Sequence, residues 1–275
     1  MSKSLRRSLL YVPAINARAL AKARSLPCDT VILDLEDSVA PEAKATAREA
    51  ASAAIKAGFP GQEIALRCNG LDTPWGEADL AAAANAGPDV VVLPKVGGPE
   101  DVAAASARLG GRIALWAMIE TCEAVLRLPQ IAGAGAPLDA LLVGTNDLAA
   151  QMGCRVTTGR EALAVALSQT VIAARAFGLS PLDGPFNDLQ DAAGLESECR
   201  HAADLGFDGK SLIHPAQIEP ANRLFSPGAE RIAWARAVIA AFEAQPDAGV
   251  LKVQGRMTER LHLAQALQIA AIAKD

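Results

Sequence analysis

Eight short runs of aliphatic and β-branched residues, separated by alanine-rich segments, limit what this chain can fold into. They are SLLYV (8–12), TVILDLE (30–36), EIALRCN (63–69), DVVVLPKV (89–96), IALWAMIE (113–120), DALLVGT (139–145), LSPLDGP (179–185) and DGKSLIHP (208–215). Most are continuously apolar rather than alternating, as expected of parallel strands covered on both faces. Between them, residues 41–57, 77–85, 99–109, 121–131, 161–177 and 189–205 carry helical periodicity. Strand–helix alternation with eight strands in about 250 residues predicts a (β/α)8 TIM barrel. An open doubly wound sheet is the competitor. It would begin with a glycine-rich turn, and YVPAINAR supplies none.

The last fifty residues break this rhythm. Residues 229–243 read as an outer helix, QPDAG as a turn, VLKVQGRM as a short β element and 258–273 as a final helix. The expected organisation is therefore a barrel over residues 1–225 and a C-terminal helical extension over 226–275.

Composition excludes several function classes. The 275 residues carry 26 basic and 31 acidic side chains, a formal net charge of −5, with no basic stripe, so nucleic acid is not an expected partner. No apolar run reaches bilayer length, and the basic N-terminal stretch MSKSLRRSLLYVP is cut short by Pro13, unlike a signal peptide. The 5 cysteines are scattered and form no C-x-x-C, which fits reduced thiols in a cytoplasm. With only 3 histidines, any metal here should be a hard cation held by oxygen.

Polar residues collect at the strand ends. Asp34, Glu36 and Asp37 end the second run, Arg67 and Asn69 the third, Lys95 the fourth and Glu120 the fifth. Asn146 and Asp147 follow the sixth, Asp183 lies in the seventh, and Lys210, Ser211 and His214 lie in the eighth. Barrel enzymes build their sites at this C-terminal face, so a shared mouth is expected there. Glu120 and Asp147, from neighbouring strands and without a nearby His or Cys, could hold Mg²⁺ with water and substrate oxygens. Both also sit where helix caps belong. Arg67 could steady an oxyanion, or could neutralise Glu36 or Asp37 as a core ion pair. Lys95 among so many carboxylates should stay protonated, which argues against imine chemistry. His214 at a strand end reads as structural, and His201 and His262 as helix residues.

The blocks RRSLLYVP, DTVILDLEDSVAPEAKATAR, ALRCNG, VVLPKV, MIET, GTNDL and DGKSLIHPAQI, in this order, resemble the signatures of the citrate lyase beta-chain-like and malyl-CoA lyase enzymes of the HpcH/HpaI aldolase group. The resemblance covers about residues 6–272. It implies a Mg²⁺-dependent (Mn²⁺ is an alternative) acyl-CoA lyase, in which an acyl-CoA and a 2-oxo acid are joined or parted at a C–C bond. Malyl-CoA, β-methylmalyl-CoA and citramalyl-CoA are its substrate types. By the same resemblance, Glu120 and Asp147 are the metal ligands and Arg67 steadies the thioester enolate. Glu36 and Asp37 order metal-bound water and basic groups, while Pro13, Arg18 and Lys22 meet coenzyme A. A cytoplasmic homotrimer or hexamer is implied, with the C-terminal extension completing or covering the active site. Alternatives are a metal-dependent aldolase on a non-CoA hydroxy acid, or a beta-like subunit inactive without its partner.

Two positions depart from the family pattern. Val12-Pro13-Ala14 stands where V-P-G is usual, and GRMTERLHL places Glu259 where the family has its acid–base aspartate. Glu259 keeps the carboxylate but reaches about 1.5 Å further. Equally, it could simply favour the N-terminus of the last helix.

Overall fold

The structure is a computed structural model that describes residues 5–135 and 137–273. In chain order the elements are β1 (Ser8–Pro13), α1 (Ala17–Ala23), β2 (Thr30–Asp34), α2 (Lys44–Ala57), β3 (Glu63–Arg67), α3 (Gly76–Ala86), β4 (Val90–Leu93), α4 (Pro99–Arg108) and β5 (Ala114–Ile119). Next come α5 (Cys122–Leu126), α6 (Leu128–Ala132), β6 (Leu138–Val143), α7 (Thr145–Met152), α8 (Ala164–Ala176), β7 (Ser180–Asp183), α9 (Ala192–Leu205), β8 (Gly209–Leu212) and α10 (Ile218–Phe225). The chain ends with α11 (Ala229–Ala244), β9 (Val250–Val253), β10 (Arg256–Glu259) and α12 (Arg260–Ile272).

Strands β1 to β8 are all parallel and close into a barrel in sequence order, so the predicted TIM barrel is the observed fold. The chain divides into two compact units, Met1–Asn222 and Arg223–Asp275. In the second unit the expected β element is an antiparallel hairpin, β9–β10. Helices α11 and α12 bury Ala235, Val238, Phe242, Ala266 and Ile269 with Val253 of the hairpin.

The period-2 geometry of strands decides what faces the barrel axis. Leu9, Ile32, Ala65, Val90, Val92, Trp116, Met118, Ala140, Leu142 and Leu182 form the interior core. Counting on by two from this layer towards the strand C-termini gives Tyr11, Asp34, Arg67, Glu120 and Gly144. Register agrees, since Asp34 is the direct partner of Arg67. The mouth is thus the continuation of the core's inner face with polar residues in place of aliphatic ones.

The helices differ from expectation at particular points. The single helix expected over 121–131 is two, α5 and α6, meeting at Arg127. Pro129 lacks the N–H that a continuous helix would need there. The helix expected from 189 starts at Ala192 because Asp191 caps it, accepting a hydrogen bond from the Gly194 N–H at 2.8 Å. The eighth strand stops at Leu212, and His214 caps a 3-10 turn, Pro215–Gln217, accepting from the Ala216 N–H at 3.2 Å.

Candidate active site at the barrel mouth

A pocket of about 300 Å³ opens at the C-terminal end of the barrel. Its lining includes Asp34, Asp37, Arg67, Glu120 and Asp147, with Tyr11, Met118 and Ile213 among its apolar walls. Of the residues singled out in the sequence, Arg67, Asp37, Glu120 and Asp147 therefore do meet around one cavity. Glu36 reaches it through Arg67.

Arg67 is the centre of the arrangement. It is 8 % exposed and grips Asp34 with both ends of its fork, Nε to Oδ1 at 2.6 Å and Nη2 to Oδ2 at 2.7 Å. The two-pronged pairing goes to Asp34, and the expected pairs with Glu36 and Asp37 form at the remaining nitrogen. Nη1 remains for the mouth, 2.8 Å from Glu36 Oε2 and 3.4 Å from Asp37 Oδ2. The ring of Tyr11 lies against the guanidinium, 4.7 Å from its centroid. Burial works to raise the Asp34 carboxyl pKa, but Arg67 and the N–H groups of Ser38 and Glu36 outweigh it and hold it below its ordinary value. Asp34 is therefore a permanent anion, and it fixes which edge of Arg67 faces the pocket.

Glu36 and Glu120 shift the other way. Burial pushes the Glu36 carboxyl up, against the opposing pull of Arg67 and Lys95. Glu120 is 1 % exposed, and burial, with the like charges of Glu36 and Asp147, lifts it to about 7 despite the hydrogen bond from the Lys95 N–H. That N–H meets Glu120 Oε1 at 2.6 Å. On the other side Gly144 lets the carboxylate close in, because a Cβ there would collide with Glu120 Oε2 and Cβ. Asp147, in the first turn of α7, is 42 % exposed and lines the pocket.

Pro13, Arg18 and Lys22 of the barrel unit are not among the lining residues. Pro13 is half-buried at the end of β1. Arg18 and Lys22 are exposed, four residues apart on α1, and neither lines the pocket. Ala14 is buried and its φ is negative, so the missing glycine costs the backbone nothing at this position. Glu259 ends β10 and caps α12, its N–H donating to His262 Nδ1 at 2.9 Å. Asp183 and Lys210, expected at the mouth, are not in it. Leu182 faces the barrel core, so Asp183 one residue on faces the opposite side, and Lys210 is its register partner there.

Sequence reasoning missed Tyr11 as a functional residue, although the inward phase set by Leu9 would have found it. It also missed Gly144, whose only signal is its place directly before Thr145-Asn146-Asp147.

The HpcH/HpaI aldolase/citrate lyase family profile matches residues 7–215. The chain belongs to this family. It is 43 % identical over 271 residues to a (3S)-malyl-CoA thioesterase of Cereibacter sphaeroides, covering 98 % of this chain and 94 % of the relative. It is 34 % identical over 293 residues to the mitochondrial citramalyl-CoA lyase of Rattus norvegicus, covering 98 % and 86 %. Among solved structures it is similar to CitE from Mycobacterium tuberculosis in complex with magnesium, acetoacetate and coenzyme A. That match has TM-score 0.83 and 31 % identity, and covers 99 % of each chain.

The donors in this family member suit magnesium. Glu120 and Asp147 offer only carboxylate oxygen, and among the described residues no group of three or more His, Cys, Asp or Glu could hold a metal ion. Two carboxylates with open positions for water and substrate oxygen are the usual protein share of a Mg²⁺ shell. The glycine cradle behind Glu120, and its burial amid like charge, fit a carboxylate that meets a cation.

Proposed function

We propose that this protein is a Mg²⁺-dependent CoA-ester lyase acting on a malyl-CoA-type substrate: malyl-CoA, β-methylmalyl-CoA or citramalyl-CoA. The observation that carries the reading is the charge imbalance of the mouth. Among the described residues, Asp34, Glu36, Asp37 and Asp147 form ion pairs only with Arg67 and Lys95, and Glu120 forms none, beside a pocket lined by Asp34, Asp37, Arg67, Glu120 and Asp147, which leaves Glu120 and Asp147 for a divalent ion.

Bound Mg²⁺, or Mn²⁺ in its place, would supply Lewis-acid polarisation and a template for the hydroxy acid, with Glu120 and Asp147 holding it. Arg67 presents Nη1 to the thioester oxygen. When the bond between the hydroxyl-bearing carbon and the α-carbon breaks, its electron pair moves to that oxygen as an enolate. The hydroxyl proton passes to a base and the α-carbon takes a proton from an acid. Glu36 and Asp37 hold Arg67 Nη1 and Lys95 in place around this centre. Glu259 is our candidate for the acid–base carboxylate, and Pro13, Arg18 and Lys22 for contacts with the coenzyme A arm. A homotrimer or hexamer, in which residues 226–275 complete or cover the active site, belongs to the same reading. The five cysteines are all free, which suits a cytoplasmic protein.

A second reading is favoured by the 43 % identity to a malyl-CoA thioesterase: hydrolysis of the same ester. One assay separates the two. Purified protein with Mg²⁺ and malyl-CoA should release glyoxylate and acetyl-CoA as a lyase. As a thioesterase it would release malate and free coenzyme A. Failure to turn over malyl-CoA, β-methylmalyl-CoA and citramalyl-CoA alike would remove both readings, and would favour a non-CoA aldolase or a partner-dependent subunit.

A further inference from the structure

Lys95 stands in the left-handed backbone region, φ 50°, directly after Pro94 at the end of β4. Residues with a side chain rarely hold this conformation unless the surroundings fix it. Here it turns the Lys95 N–H onto Glu120 Oε1 at 2.6 Å. That backbone role needs no side chain, and glycine would fill it with less strain. Yet the ammonium has its own set of partners, all carboxylates of the mouth. Lys95 Nζ donates to Glu36 Oε1 at 2.8 Å and lies 3.9 Å from Asp147 Oδ1. One residue thus meets both proposed cation ligands, Glu120 through its backbone and Asp147 through its charge. It does so without lining the pocket itself.

We propose that Lys95 is a positioning residue whose ammonium sets the charge of the Glu120–Asp147 site and so weakens its hold on a free divalent cation. This inference rests on the proposed metal site. With Lys95 charged, two cations oppose the five carboxylates of the mouth. A side chain without that charge would leave Arg67 alone to do so, and Arg67 is committed to Asp34. Because the ammonium is present, the ion stays only where substrate oxygens complete its shell, which ties occupancy of the site to arrival of the hydroxy or oxo acid.

The test is Mn²⁺ binding without substrate, read as free Mn²⁺ by electron paramagnetic resonance at fixed ionic strength. Wild type, Lys95→Met and Lys95→Arg are compared, with thermal melts to confirm that each is folded. Removing one positive charge a few ångströms from a divalent ion should tighten Mn²⁺ binding about tenfold in Lys95→Met. Lys95→Arg should stay close to wild type. A merely structural role would loosen binding, so the sign decides. Equal or weaker binding by Lys95→Met overturns the inference alone, as does equal tightening in Lys95→Arg. No Mn²⁺ binding by either wild type or Lys95→Met overturns the metal-site reading and the inference with it.

Discussion

Two of the charge clusters in the barrel unit are built on opposite principles. At the mouth, Asp34, Glu36, Asp37, Glu120 and Asp147 outnumber Arg67 and Lys95, and all of the five but Glu36 border a cavity. Behind β7 and β8, Arg160 and Lys210 meet Asp183 and Glu198 two against two, with Arg160, Lys210 and Asp183 at most 1 % exposed. Lys210 Nζ bonds Asp183, Glu198 and the Gly184 carbonyl, and Arg160 Nη1 reaches both oxygens of Asp183 at 2.8 and 2.9 Å. A buried network that balances its own charge needs nothing further and holds structure. A network with excess anions beside open volume is completed only by a ligand. The difference teaches which polar strand ends belong to chemistry: the unbalanced ones.

The largest expected effect is on the mouth. Glu120→Gln should lower turnover of the malyl-CoA-type substrate about a thousandfold or more, since loss of a metal ligand removes several kcal/mol of transition-state stabilisation. It should also abolish Mn²⁺ binding while leaving the protein folded. Steady-state kinetics and a Mn²⁺ titration check this, and near-normal turnover would break the contrast between the clusters. Lys210→Met should do the reverse. It leaves Asp183 and Glu198 with Arg160 alone in the interior and should cost about 3–5 kcal/mol of folding stability. Mn²⁺ affinity of the folded fraction should be unchanged, and denaturant melts with a parallel titration read both quantities.

A smaller effect concerns whether the mouth contains its own acid–base group. If Glu259 supplies it, Glu259→Gln should cut kcat about a hundredfold with unchanged Mn²⁺ affinity, the usual scale for general acid–base catalysis. Truncation after Gln245 should do at least as much. Full turnover by the truncated, folded protein would remove the tail from the mechanism.

The smallest effect is a difference in pH response. Glu120 titrates near 7 in the fold against about 4.5 when unfolded, so the folded state binds the extra proton between those values. Its contribution to stability therefore falls as pH rises from about 4.5 to about 7. Asp183 goes the other way. Burial works to raise its carboxyl, but Lys210 and Arg160 outweigh it and hold it below 3.8. The stability it contributes is present above that value and is lost as pH falls through the lower folded one. With a chelator present, melts of wild type and Glu120→Gln should diverge in favour of the variant as pH rises to neutrality. Melts of wild type and Asp183→Asn should converge below pH 4. Parallel curves across the whole range would show that the two clusters do not differ in this way.

Much of the barrel is legible in the chain because its determinants are local. Apolar runs such as VVVL and ALWAMI have the length and composition of strands covered on both sides, and the alanine-rich segments between them favour helix. The strand ends carrying Arg67 and Glu120 could be found by counting, because alternation fixes which face they share with Ile32, Ala65 and Met118. The same alternation, carried from Leu182, turns Asp183 and its register partner Lys210 away from the mouth, although both stand at strand ends.

By itself, then, the sequence determined the strand–helix alternation, the barrel it implies and the inventory of carboxylates at its strand ends. All of these follow from composition and periodicity along one dimension. Only the tertiary structure decided the pairings. Arg67 is gripped by Asp34 and also paired with Glu36 and Asp37, Glu120 fits because residue 144 has no Cβ, and Asp183 closes on Lys210 and Arg160 away from the pocket. Charge partners are chosen by distance and direction across neighbouring strands and helices. Those are properties of closure, which no single stretch of chain contains.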